Sequence, residues 1–250
     1  MNRRRRIWLA PALTCAALAL GPAALHARTP AIWVPFVGCP SDGQTGPGAA
    51  PRSGPRFVYP ATQYQGGLAF YGTEGLGVMA PIGWHCVALS GSNGMRVIVT
   101  PQRFRPADFL GTDRRIEGPA VEISHNYGGT SGRFAVAAAI GRYFPDHRAF
   151  AEEVHRAFEA EAPVPAGQWP ADRIDRRGPG LVLFETPAGS HGEGTRGLFA
   201  PQGGAVTGAL ALLVGEEPDL VVIRVRAPSL SRQQVEFLIA ESLGEALGGD

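Results

Sequence analysis

Residues 220–243, LVVIRVRAPSLSRQQVEFLIAESL, hold the reading that decides the fold. The first seven contain no glycine or proline, and they alternate. Val221, Ile223 and Val225 share one side, and Arg224 and Arg226 share the other. That period of two predicts a strand with one buried and one wet face, as in an antiparallel sheet. Pro228 interrupts the run, and Ser231 opens a helix. Ser231 and Gln234 form a capping box, in which each side chain takes a backbone N–H that the helix leaves without a partner. Leu230 and Val235 are spaced for a hydrophobic staple, and Val235, Leu238, Ile239 and Leu243 make one packing stripe. Gly248 and Gly249 end the helix.

Working outward, Leu181 to Thr186 and Ala205 to Val214 read as two further strands. The second is apolar on both faces and belongs in the middle of a sheet. Trp84 to Leu89 and Met95 to Thr100 flank Ser90-Gly91-Ser92-Asn93-Gly94, which predicts a β-hairpin. Ala120 to Tyr127 is another strand. A helix is expected over 131–143 after Thr130 as N-cap, and a second over 147–161 after Asp146. Phe150, Val154 and Phe158 would form the apolar face of the second. Residues 61–71 suggest a short helix weakened by Gly66 and Gly67, and 162–180 a Pro/Gly-rich connection. Short-range strand pairs, a helical pair in the middle and a closing helix indicate an α+β domain, mostly antiparallel sheet with packed helices.

Residues 1–27 read as a signal peptide. Arg3 to Arg6 form a basic start, Ile7 to Leu20 an apolar stretch, and Ala27 a small residue before the cut. The apolar stretch is short for a membrane span. A general secretory leader is the first reading, and Arg5-Arg6 leaves the twin-arginine route as the alternative. No later segment is apolar for long enough to cross a bilayer. The chain is therefore expected in the periplasm or secreted. Residues 28–55 carry prolines 30, 35, 40, 47, 51 and 55 and read as an extended Pro/Gly-rich arm without regular structure. Residues 56–250 form one α+β domain.

All 23 basic residues are arginine. Without the four in the leader, the charge is 19 against 22 acidic residues, or −3. That gives no electrostatic case for nucleic acid. Removal of Cys15 with the leader leaves Cys39 and Cys86. In an oxidising compartment they are expected to pair, and two free thiols are the alternative. There is no CxxC and no zinc- or calcium-type spacing, so no metal and no cofactor is expected.

The Pro81-Ile82-Gly83-Trp84 turn that opens the hairpin, and the closing strand followed by a helix, resemble PsbP-type proteins. That resemblance implies an α-β-α sandwich-like fold. The chain also resembles a family of uncharacterised exported bacterial proteins. The motifs that carry this are Cys39-Pro40-Ser41-Asp42-Gly43-Gln44, Gly77 through Trp84-His85-Cys86, Gly91-Ser92-Asn93-Gly94, Gly128-Gly129-Thr130-Ser131-Gly132-Arg133-Phe134 and Glu185-Thr186-Pro187-Ala188. It spans most of the mature chain and implies no activity and no site residues.

Two functional readings follow from the residues. The preferred one is a non-catalytic domain that binds an envelope protein or a small ligand. Trp33 and Phe36 on the arm are its apolar candidates, and Arg133 and His85 its polar ones. The alternative is a serine hydrolase of envelope esters. Ser131 would be the nucleophile, His125 the base, and the glycine amides around it an oxyanion hole or anion cradle. The spacing departs from the G-x-S-x-G elbow, because position 133 is Arg. A glycine-rich turn with a hydroxyl cap is the structural reading of the same residues. In Gly189-Ser190-His191-Gly192-Glu193-Gly194, neighbouring Ser and His point to opposite sides, and a polar loop is expected.

The intact mass of protein taken from the envelope fraction of its own host is expected to equal residues 28–250 less two thiol hydrogens. A mass that retains the leader would refute the cut after Ala27.

Overall fold

The computed structural model describes residues 31–61, 63–64, 66–158, 164–165 and 167–248. The leader expected over 1–27 lies outside them. In chain order the strands are β1 Ala31–Trp33, β2 Phe36–Gly38, β3 Ser41–Gly43, β4 Val58–Pro60, β5 Leu68–Thr73, β6 Leu76–Pro81, β7 His85–Gly91, β8 Gly94–Thr100, β9 Ala120–Asn126, β10 Arg173–Arg176, β11 Leu181–Thr186, β12 Val206–Leu213 and β13 Asp219–Arg226. The helices are α1 Arg133–Tyr143, α2 Arg148–Ala157 and α3 Arg232–Gly248. The fold is α+β and mostly sheet.

Eight strands form the main sheet in the order β10-β11-β12-β13-β9-β8-β7-β3. All neighbours are antiparallel except β3, which lies parallel to β7. A three-stranded sheet, β2-β5-β6, and a two-stranded ribbon, β1-β4, complete it. Alternation along each central strand divides the apolar residues between two cores. Val97, Ile123, Ala209, Val221 and Ile223 join the side chains of β5, β6 and α3. Ile98, Ala120, Leu210, Leu220 and Val222 join those of α1 and α2.

The strand at 220–226 is buried on both faces, so the expected wet face does not exist. Arg224 and Arg226 are 5% and 3% exposed. β13 is an inner strand covered on both sides, and burial of its arginines is made possible by partners described below. β12 is interior, as its two apolar faces predict. The hairpin closes in the register Gly91↔Gly94, leaving Ser92 and Asn93 as the loop. Gly94 has a φ of +130° and lies against the carbonyl of His125, where a Cβ would sit 1.9 Å from the oxygen.

Among the described residues of 61–71, none is helical. Gly66 and Gly67 take φ of +72° and +75°, which only glycine adopts readily, and they turn the chain into β5. Leu68, Phe70 and Tyr71 are then buried in the three-stranded sheet. The arm also departs from the expectation of no regular structure. It is extended, but three of its segments pair as strands. β2 joins β5 in the register Phe36↔Phe70, and β3 joins β7 as Asp42↔Leu89. A proline-rich segment can do this because each paired stretch is only three residues and lies between the prolines. The Cys39–Cys86 disulfide, with a Cα separation of 5.2 Å, fastens this segment to β7.

α3 has the capping box read from its sequence. The Ser231 N–H donates to Gln234 Oε1 at 2.9 Å, and the Gln234 N–H to Ser231 Oγ at 3.3 Å. Leu238, Ile239 and Leu243 are buried. β6 is an edge strand, and Ser242 Oγ of α3 accepts its Met79 N–H at 2.9 Å. α1 starts at Arg133 rather than 131, with Gly132 at its N-cap and no side-chain cap. α2 starts at Arg148 after a turn of 3₁₀ helix over Pro145–His147, so Asp146 is not its cap. Part of its expected C-terminal extension, residues 159–161, lies outside the described residues.

The disulfide spans 47 residues, for which restriction of the unfolded chain is worth about 4 kcal/mol. Urea unfolding with and without reductant is expected to show a loss of that size. A loss under about 1 kcal/mol would mean that sheet pairing alone holds the arm.

Candidate functional site

His125 and Ser131 flank the turn between β9 and α1, but the structure gives them different partners. His125 Nε2 lies 3.0 Å from Asp219 Oδ2, at the start of β13. Asp219 Oδ1 accepts the Gly128 N–H at 2.8 Å. The amide offered by the glycine turn is therefore occupied by the protein's own carboxylate. Ser131 Oγ pairs with Ser92 Oγ of the hairpin loop at 2.8 Å. Among the described residues, no hydrogen bond joins Ser131 to His125. Arg133 turns back on its own loop, donating to the carbonyls of Thr130 at 2.6 Å and Gly129 at 2.7 Å, and it lies over the Phe158 ring. These contacts build a turn that clasps the hairpin tip, where the Tyr127 N–H also donates to the Asn93 carbonyl at 3.3 Å.

The other candidates are dispersed. His85 is half-buried at the start of β7, opposite Thr100, and makes no side-chain hydrogen bond among the described residues. Phe36 is half-buried, its ring 6.4 Å from that of Phe70. Trp33 is 62% exposed, opposite Val58 at 42% in the β1–β4 ribbon. Cys39 and Cys86 are joined as expected.

Sequence reasoning missed an ionic cluster on the α1 side of the main sheet. Arg224 of β13 lies directly across from Glu122 of β9. Its Nη1 is 3.5 Å from Glu122 Oε2, and its Nη2 is 2.8 Å from Glu193 Oε1. Its Nε donates to the Glu193 carbonyl at 2.9 Å. Burial pulls this guanidinium's pKa down, and the two carboxylates outweigh that, so it ends above the ordinary arginine value. Glu193 thus leaves the polar loop expected at 189–194 and enters the interior. Asp172 holds it there, accepting the Glu193 N–H at 2.9 Å and the Thr186 hydroxyl at 2.6 Å. The clue in the sequence was present but ambiguous: an arginine in an otherwise apolar strand fits an exposed face as well as a buried ion pair.

Arg96 of β8 joins the cluster from the outside. Its Nε is 2.9 Å from Glu122 Oε1, and its side chain is 30% exposed against none for Glu122. That oxygen receives no aligned hydrogen bond, so the contact is an ion pair. Arg96 Nη1 and Nη2 have no protein partner among the described residues. Arg96 lines a groove of about 490 Å³ at the end of the sheet. Ser90, Asn93, Ser124 and Asn126 contribute polar groups to it, and Leu89 and Leu110 apolar ones. Arg96 and His125 are its ionisable residues, and no Asp or Glu lines it.

A second groove, about 650 Å³, lies between α3 and the β10–β11 edge. Its floor includes Leu181, Leu183 and Ile239. Its rim charges are consumed in pairs: Arg173 with Glu185, Arg177 with Asp175 and Arg232 with Glu236.

No family model, curated protein or solved structure matches this chain. Among the described residues, no three His, Cys, Asp or Glu side chains are grouped to hold a metal ion, and no helix is long and apolar enough to cross a membrane.

Arg224→Ala is expected to cost about 3–5 kcal/mol, because it strands two buried carboxylates. Arg96→Gln leaves Glu122 its Arg224 partner and should cost about 1 kcal/mol. Urea denaturation of the two variants checks the order. Equal losses would place Arg96 in the same structural role as Arg224.

Proposed function

We propose that this chain is an exported, non-catalytic binding domain of the periplasm or extracellular space, and that it takes a small ligand in the Arg96 groove. The observation that carries this reading is a guanidinium with unused donors in the lining of an open groove, while the nearby nucleophile and base are each engaged elsewhere. The groove's size lies within the range of small-ligand sites. The disulfide accords with an oxidising compartment. The layering of α1 and α2, the main sheet and α3 supports the α-β-α sandwich-like fold implied by the resemblance to PsbP-type proteins. Membership of the exported bacterial family rests on the motifs alone.

A second reading has its own observation. The exposed pair Trp33 and Val58 sits in cross-strand register on a short ribbon, and exposed apolar pairs of this kind suit docking to an envelope protein. Phe36 contributes less to such a surface, because it packs inward. The hydrolase alternative requires Ser131 to exchange Ser92 for His125, and no contact among the described residues favours that exchange.

Native mass spectrometry of the protein released gently from its host's envelope is expected to show added mass that dissociates without covalent change. Fluorophosphonate labelling of Ser131 is expected to be absent. A bare protein that is labelled, with labelling lost in Ser131→Ala, would replace the binding reading with the hydrolase. Trp33→Ala should shift stability by under about 0.5 kcal/mol, and Phe36→Ala should cost about 2 kcal/mol. Loss of a recovered protein partner in Trp33→Ala would support the docking reading.

A further inference from the structure

We infer that the groove beside the β7–β8 hairpin is an oxyanion site, in which the Nη1 and Nη2 edge of Arg96 receives a carboxylate or phosphate. This rests on the binding reading above and names the class of ligand.

The first argument is charge. The groove's lining contains the Arg96 guanidinium and no carboxylate, and Glu122, the partner of Arg96, lies outside it. The larger groove beside α3 is the contrast, because Asp175, Glu185 and Glu236 line it together with its arginines. The second argument is positioning. A free arginine loses much side-chain freedom when it grips a ligand. Arg96 is already held at Nε by Glu122, and Glu122 is itself fixed by Arg224. The ion pair keeps the guanidinium beside Glu122, and its Nη1–Nη2 edge suits a bidentate oxyanion. The third argument is the surrounding donors. Ser124, directly across from Arg96 on β9, offers a hydroxyl on the same face, and Asn93 an amide, within the same lining. Asn126 Nδ2 already donates to the Leu220 carbonyl at 3.2 Å and Ser124 Oγ at 3.4 Å. That leaves the Ser124 hydroxyl proton available to a ligand.

Sodium phosphate, sodium acetate and glucose are titrated separately into ¹⁵N-labelled, disulfide-bonded mature protein, with ionic strength held constant by sodium chloride. Phosphate or acetate is expected to move the amides of residues 90–96 and 124–126 in a saturable way. Arg96→Gln should weaken that binding by about tenfold or more, as for loss of a charge-assisted hydrogen bond. Arg173→Gln, on the other groove, should leave it unchanged. Arg96→Lys keeps a cation beside Glu122 and loses the planar fork, so it should also weaken binding. It carries the test if Arg96→Gln does not fold. Co-sedimentation with phosphatidylglycerol vesicles that depends on Arg96 would identify a lipid headgroup, and free phosphate binding without it a soluble anion. Anion shifts that are scattered or indifferent to Arg96 overturn the proposal. Glucose moving the groove amides while both anions leave them still overturns the oxyanion class alone. If no probe moves them, the groove reading falls with it.

Discussion

Arg224 sits at the middle of the main sheet with its charge beyond the reach of water, and much of the molecule is arranged around that fact. A buried ion costs several kcal/mol unless it is paired and hydrogen-bonded on most of its atoms. Here Glu122 comes from the neighbouring strand, and Glu193 from a turn more than sixty residues away from Glu122 in the sequence. The cluster therefore forms only when β9 lies beside β13 and the segment after β11 has folded back over the sheet. Gly208 stands directly opposite Arg224 on β12, and the Phe184 ring lies close over the place where its side chain would be. A Cβ there would meet that ring at 2.4 Å and a backbone oxygen at 2.1 Å. Such a pair confers specificity of register more than net stability, because a one-residue slip of β13 would turn Arg224 into the opposite, apolar core.

Much of the architecture is legible in local chemistry. The capping box of α3, the apolar central strand β12 and the Asn-Gly-marked hairpin each rest on interactions within a few residues. The failures share a cause. Residues 61–71 have no decisive local period, and the strand at 68–73 exists because β2 and β6 supply its backbone partners. The arm's three strands depend on β5, β7 and β4 in the same way. No sequence window contains those partners, so proline content alone gave the wrong expectation for pairing, though a sound one for extended chain.

The alternation of β13 is more instructive. Val221, Ile223 and Val225 were read on one face, and they do face one core. The error lay in treating arginine as evidence of water. The same alternation describes a face wetted by solvent and a face whose charges are neutralised by distant residues. Only Glu122 and Glu193 separate the two, and neither carries a motif. Ser131 and His125 illustrate the converse. They stand close in sequence and invite a catalytic reading, yet Asp219 and Ser92 take the atoms that catalysis would need. Proximity along a chain is weak evidence beside the full set of hydrogen-bond partners.

The absence of lysine sharpens this point. Arginine carries the fixed positive charge throughout the chain, so residue type does not separate scaffold from site, and burial and partners have to be read together. Arg226 places Nη1 on the carbonyls of Ile116 and Glu117 and Nη2 on that of Ala200, clamping two loops over the sheet. Arg224 commits Nε and both Nη atoms to Glu122 and Glu193. Arg133 commits Nε and Nη2 to its own turn. Arg96 touches protein only through Nε, although it adjoins the same buried glutamate as Arg224. A guanidinium anchored on one edge and open on the other is costly as scaffold, since its ordering yields a single ion pair. The same arrangement suits recognition, because the guanidinium is already held beside Glu122 when a ligand arrives.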